Sequence, residues 1–339
     1  MNRSMGHALQ PEGSPGTVSW KLYLGLSRTP HGVLDLATPS MAALLWLGHF
    51  PPGSVVLVGL ITAFAGYTAV YALNDLVDYR VDQERLSLLG ETKEHFDLDE
   101  IIMRHPVAQG ALPFASGLKW CLFWCAVALV GAWWLNPFCA VLFAVSAGLE
   151  TVYCKLLRVT HLKVVPSAIV KATGGLAGVY AVDPSPSLGF VAVLFLWLAA
   201  WEVGGQNIAN DIVDLDDDSR VAARTTPTVK GIPESVFRLL CGVAMAAFGG
   251  VAIYWPAGTG IGWVYPIGAA LLGWILLLNP AREVYGNPTP DTAARLFNRA
   301  SYLPASFLGL VLVSILELRP CVSQGGQGRH GGNLPRFAV

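Results

Sequence analysis

Charge is what this chain has least of. Only 13% of its 339 residues are Asp, Glu, Lys or Arg, against roughly 25% in an average soluble protein, which excludes an ordinary water-exposed globule. The 22 basic and 23 acidic side chains give a formal net charge of -1, so neither a nucleic-acid-binding surface nor an acidic disordered chain is implied. Cysteine is sparse and unpatterned. Cys121, Cys125, Cys139, Cys154, Cys241 and Cys321 include no CxxC pair, and all but Cys321 fall in apolar runs, so neither a disulfide framework nor a zinc site is expected. No apolar stretch precedes residue 33, so a cleavable signal is not expected. No P-loop, GxGxxG, HExxH or GxSxG element stands in the context that would give it meaning. The DG-x-x-A-R type signature of CDP-alcohol phosphotransferases is missing too.

Apolar length is what the chain has in excess, with 53% hydrophobic residues. Nine apolar runs can be drawn, at about 33–50, 54–73, 116–135, 137–154, 164–182, 187–209, 238–255, 261–279 and 301–318. Each can cross a bilayer as a helix. The runs are continuously apolar, which excludes the alternation of barrel strands and favours helices that satisfy their own backbone. The expected fold is an all-α, polytopic membrane bundle of nine transmembrane helices in two pseudo-repeated halves. A cytoplasmic N-terminal tail over 1–32 and a disordered, Gly-rich C-terminal tail over 319–339 flank the membrane domain over 33–318.

Loop charges set the orientation. The links around 48–53, 135–137, 183–187 and 256–260 carry no Lys or Arg, whereas the alternate links carry Arg80, Arg85, Arg104, Lys155, Arg158, Lys163, Arg220, Arg224 and Lys230. The charged side is therefore cytoplasmic, which suits a bacterial inner membrane. Two loops on that side, about 75–115 and 211–237, are long enough to be functional.

Each long loop opens on the same pattern. NDLVDYRVD runs from Asn74 to Asp82 and NDIVDLDDD from Asn210 to Asp218, with five of nine positions identical. In a helix Asn74, Asp78 and Asp82 share one face, as do Asn210, Asp214 and Asp218, while Asp75 and Asp211 sit one residue off. Like charges at that spacing repel unless a cation lies between them. A donor set of oxygen alone suits Mg²⁺, an ion that commonly bridges to phosphates, so a metal-bound diphosphate is the natural ligand. The bland alternative is that both runs are solvated helix ends, but two copies at matching positions argue against it.

These paired motifs on a nine-span helical chain resemble the UbiA superfamily of intramembrane prenyltransferases, over about residues 28–318. Three further stretches carry the likeness. Arg104, His105 and Pro106 to Gly110 resemble RPL-x-x-G. Tyr153 with Arg158, Thr160, His161 and Leu162 resembles Y…R-x-T-H-L, and Arg224, Thr225 and Thr226 to Gly231 resemble R-T-x-P-x-x-x-G. The chain departs from the pattern at His105 and in extra first-loop residues that include Glu91, Glu94, Asp97, Asp99 and Glu100.

The resemblance implies transfer of a prenyl group from a prenyl diphosphate to a small-molecule acceptor, aromatic in the manner of a hydroxybenzoate or quinone precursor. Asp78, Asp82, Asp214 and Asp218 would be catalytic, holding Mg²⁺ together with Asn74, Asp75, Asn210 and Asp211. Arg158, Lys163 and Arg104 would bind the diphosphate. Within the same fold the alternatives are a terpene cyclase or a lipid-phosphate phosphoribosyltransferase; outside it, a membrane carrier or scaffold.

Ionisable groups inside spans usually face the bundle interior. Asp35, Glu150, Lys171 and Glu202 are such groups, with Lys171 expected to pair with Asp35 or Glu202 or to meet substrate. Glu202, Gln206 and Asn210 would form one polar stripe leading into the second motif, and Tyr67 and Tyr71 a stripe leading into the first. These tyrosines could face an allylic cation or simply pack. Trp133 and Trp134 read as interfacial belt residues.

Overall fold

The computed structural model describes residues 19–89, 103–257 and 261–317. Its first helices are short: α1 (Trp20–Leu26), α2 (Thr29–Asp35) and α3 (Ala37–Leu47). Next in the chain are α4 (Gly53–Leu89), α5 (Phe114–Leu135), α6 (Pro137–Leu156), α7 (Val164–Val182) and α8 (Leu188–Trp201). The motif-bearing segments α9 (Ile208–Val213) and α10 (Leu215–Arg220) come after them, then α11 (Thr226–Ala252), α12 (Tyr254–Ala257), α13 (Val264–Gly273), α14 (Asn279–Gly286), α15 (Pro290–Ser301) and α16 (Leu303–Glu317). No strand occurs among the described residues.

Among the described residues, eight continuous helical stretches are long and apolar enough to cross a membrane. The span expected over 33–50 is not among them, because it is bent: α2 and α3 meet at Leu36, and Pro39 lies in the first turn of α3. The 1–32 tail reading changes in part. Residues up to 18 lie outside the described residues, but from Trp20 the chain is helical and buries Gly25 and Leu26. The 319–339 tail also lies outside them.

Among the described residues the first long loop is helical up to Leu89 and the second is largely helical. α4 carries the first motif unbroken on to Leu89, and its 37 residues reach about 55 Å, well beyond a hydrocarbon core of roughly 30 Å. The second loop shrinks to the few residues between α10 and α11. The rest of the expected loop is the end of α9, all of α10 and the first turns of α11, which bends at Gly231 (φ 79°) just before Pro233. The additional acidic residues from Glu91 to Glu100 lie outside the described residues.

The main core belongs to the C-terminal half, where Trp197, Trp201, Tyr265 and Phe307 are almost fully buried. A smaller cluster joins Leu26, Leu76, Val107, Leu112 and Cys121, and fastens the segment after residue 103 onto α4 and α5. Gly117 allows this close approach, since a Cβ there would lie 3.2–3.3 Å from Leu76, Leu26 and Val107. Trp133 and Trp134 are exposed on the outer surface, as a belt requires.

Between α8 and α9 the helix takes one wider π turn, Glu202–Asn207. Such a turn adds a residue to the helical repeat and so rotates the side chains beyond it to a new face. Gly204 makes room for it, its backbone lying against Gly242 and Val243 of α11. The single stripe expected from Glu202 through Gln206 to Asn210 is therefore split. Glu202 accepts a hydrogen bond from Ser167 of α7 (2.6 Å), while Gln206 meets Ser301 and the Phe297 carbonyl of α15.

Candidate active site

The two motifs face each other at one end of the bundle. Asp75, Asp82, Asp211 and Asp218 are all buried, 2–8% exposed, although a buried carboxylate without a partner is costly. Each of these four has a resident base. His105 Nδ1 lies 2.7 Å from Asp75 Oδ1 and 3.0 Å from Asp82 Oδ2. Lys163 Nζ donates to Asp211 Oδ1 (2.9 Å) and to the Tyr153 hydroxyl (3.3 Å). Arg85 donates through Nη2 to Asp218.

The pairing repeats with the sequence: second and ninth motif positions are ion-paired in both copies. The middle position differs. His105, Lys163 and Arg85 are all taken by the flanking carboxylates, and none of the three pairs with Asp78 or Asp214. Asp214 accepts from its own motif neighbour, Asn210 Nδ2, at 2.9 Å. Asn74 is used differently, bracing α4 to α6 by donating to Glu150 (2.7 Å) and Cys154 (3.3 Å) while its oxygen faces Arg28 at 3.5 Å.

Backbone strain gathers here. Arg28 and His105 take positive φ, 42° and 51°, uncommon for side-chain-bearing residues and a frequent mark of functional positions. Burial alone would lower the His105 imidazole, but Asp75 and Asp82 hold it above its usual value. Burial pushes the Asp218 carboxyl up to about 7 against the pull of Arg85. Burial likewise raises Asp214, with Arg85 and Arg104 partly offsetting it.

A divalent cation fits this donor set. The ligand atoms of Asp75, Asp82 and His105 lie within 4.8 Å of one another, and Asp75 Oδ2 is buried without a hydrogen-bond partner. Oxygen predominates, as a hard cation prefers.

The basic residues expected around a diphosphate are dispersed. Lys163 is 3% exposed and committed to Asp211. Arg104 is exposed, and its charge partly offsets the rise of the Asp214 carboxyl. Arg158 is half-exposed and pairs with Glu84 at 2.6 Å, so it clasps the end of α4 from outside the acidic cluster. Of the other two bases that enter the cluster, His105 stands out in the sequence only as a departure from the family pattern, and Arg85 only as a loop charge. Arg85 could have been found, since it lies three residues beyond Asp82 and shares its helical face.

Below the motifs lies a second polar layer. Lys171 Nζ meets Asp35 at 2.9 and 3.1 Å, and Tyr71 donates to Asp35 at 2.5 Å. This settles the pairing of Lys171 in favour of Asp35. His31 stacks on Phe297 and meets the edge of Tyr71, with ring centroids 6.2 and 6.0 Å away. Deeper still, an apolar cavity of about 250 Å³ opens between α3, α4, α5, α6 and α7, lined by residues such as Gly59, Ala63, Gly66, Ala132 and Gly174. Tyr67 stands at its head, two turns below Asn74, and Val55 near its far end, about 18 Å away along α4.

Comparison with known proteins agrees with this architecture. The chain is 27% identical over 258 residues to a digeranylgeranylglyceryl phosphate synthase of Thermococcus sibiricus, covering 76% of this chain and 83% of that protein. Its fold is like that of the apo structure of a UbiA homolog from Aeropyrum pernix K1, with TM-score 0.68 and 18% identity over 84% of this chain and 97% of the other. A UbiA homolog from Archaeoglobus fulgidus bound to DMAPP and Mg²⁺ is similar at TM-score 0.61 and 17% identity, over 87% and 99% of the two chains. The profile of the UbiA prenyltransferase family matches residues 36–303, so this integral membrane chain belongs to that family and is a transferase of prenyl groups.

Proposed function

We propose that the protein is a Mg²⁺-dependent prenyltransferase that uses a prenyl diphosphate as donor and an aromatic molecule, such as a hydroxybenzoate or quinone precursor, as acceptor. The observation that carries this reading is the pair Asp78 and Asp214. They are the central carboxylates of two facing motifs, passed over by the three bases that neutralise the flanking carboxylates. The Archaeoglobus homolog with DMAPP and Mg²⁺ supports the donor and the metal.

In this reading Asp78, Asp82, Asp214 and Asp218 hold the metal with Asn74, Asp75, Asn210 and Asp211 in support. When bound, Mg²⁺ would neutralise charge on the departing diphosphate. The chain's own part is placement. Arg104 guards the mouth, the cavity below Tyr67 takes the apolar tail, and the two motifs fix the allylic carbon between them. The C–O bond of the donor breaks with its electron pair leaving on the diphosphate, the acceptor forms the new bond at that carbon, and it loses a proton. The wall of His31, Tyr71 and Phe297 beside the site is suited to an aromatic acceptor. The links without Lys or Arg on the opposite face support a site on the cytoplasmic side of a bacterial inner membrane.

A second reading, a glycerophosphate lipid as acceptor, is favoured by the Thermococcus relative. Purified protein given labelled geranylgeranyl diphosphate with each acceptor class in turn separates the two. Product formation should stop with EDTA and return with Mg²⁺. Turnover in metal-free buffer would overturn the diphosphate–metal reading, and product without any acceptor would indicate a cyclase.

A further inference from the structure

Arg85 joins the two motifs. It sits on α4 one turn beyond Asp82 and reaches across to Asp218 on α10. Its guanidinium lies among Asp218, Asp214, Asp82 and Asp217, carboxylates of both copies. Asp218 is only 4% exposed, yet the Arg85 side chain is 26% exposed and therefore accessible from the mouth. Arg85 Nε is buried with no hydrogen-bond partner, so part of its donor fork is unspent. A purely structural bridge would be expected to use its donors, because an unsatisfied buried N–H is costly.

We propose that Arg85 is an exchangeable counter-ion: it neutralises the paired motifs while they hold no metal, and turns its guanidinium to the diphosphate when metal and donor enter. The inference rests on the metal and diphosphate reading above. A guanidinium is always charged and its fork matches phosphate oxygens. It competes with a bare divalent cation for Asp218 and cooperates with a metal-bound diphosphate. Its removal must therefore have opposite effects on the two ligands.

The test measures two affinities at pH 8 in detergent, Mn²⁺ alone by electron paramagnetic resonance and Mg²⁺–pyrophosphate by calorimetry. In Arg85→Gln, Mn²⁺ binding should tighten by about tenfold or more, because a repelling unit charge has left the site, and pyrophosphate binding should weaken by a similar factor. Arg85→Lys keeps the charge without the fork, so its Mn²⁺ affinity should stay at the wild-type level while pyrophosphate binding weakens. If Arg85→Gln lowers only the melting temperature and shifts neither affinity, Arg85 is a structural latch and the proposal fails. If both affinities move in the same direction, it fails as well. A wild-type protein that binds neither probe would instead overturn the underlying metal and diphosphate reading.

Discussion

Lys163 and Asp211 form an ion pair of 2.9 Å in which both side chains are at most 5% exposed. The lysine belongs to the turn before α7 and the aspartate to the second motif, so the contact fixes α9 against the N-terminal half. Removing one member of such a pair strands a buried charge. Lys163→Met should cost about 3–5 kcal/mol, read as a fall in melting temperature, and adding Asp211→Asn should recover most of it. A single variant as stable as wild type would show that Lys163 is not held there in the membrane.

Asp78 and Asp214 offer the sharpest test of the site. Asp78→Asn and Asp214→Asn should each reduce turnover by orders of magnitude while the metal-free melting temperature stays the same or rises slightly, because strain kept for function is relieved. If these residues are only helix-end groups, each change would instead cost about 0.5–2 kcal/mol of stability and spare activity. An active Asp214→Asn enzyme would refute the site.

Burial raises the Asp218 carboxyl to about 7 despite Arg85, and its other charged neighbours are Asp211, Asp214 and Lys163. A group harder to ionise in the folded than in the unfolded state stabilises the fold fully at low pH and loses that contribution as pH rises through its folded value. Chelated protein should therefore melt lower at about pH 8 than at about pH 5. Asp218→Asn should flatten that slope; equal slopes in the two proteins would contradict the assignment.

The cavity predicts donor length. Gly59 lines it, and a Cβ there would meet nothing within 4 Å, so a larger side chain enters open space without disturbing the fold. Gly59 lies about 12 Å from Tyr67 along α4, room for roughly two extended isoprene units at about 5 Å each. Gly59→Phe should spare a ten-carbon donor and lower kcat/KM for a twenty-carbon donor by about tenfold or more. Equal losses on both donors would place the tail elsewhere.

Much of this was legible in the sequence, and the exceptions have physical causes. Long apolar runs mark spans because lipid leaves the backbone no other solution, and the twin motifs stand out by repetition. The helical stretch of α4 from Asn74 to Leu89 did not stand out. Hydropathy reads its Asp, Arg, Gln and Glu residues as loop, although most of them are adequate helix formers. The partners of the bases were hidden for another reason: spacing puts Arg85 on the face of Asp82, but its reach to Asp218 and that of His105 to Asp75 are made by tertiary packing. The π turn at Glu202–Asn207 left no periodic trace beyond its two glycines, and the bend at Leu36 broke a run that looked continuous.

The two motifs are twins in sequence but not in mechanics. The first is carried on α4, a single rod whose backbone ladder continues on both sides of it. The second hangs on a jointed segment, with the π turn behind it and a break at Asp214 (φ -89°, ψ 9°) between α9 and α10. A rod cannot shorten one ligand distance without moving all the others, whereas a joint can. The first motif thus acts as the anvil, and whatever adjustment a ligand demands in the spacing of the two acidic faces must be made by the second.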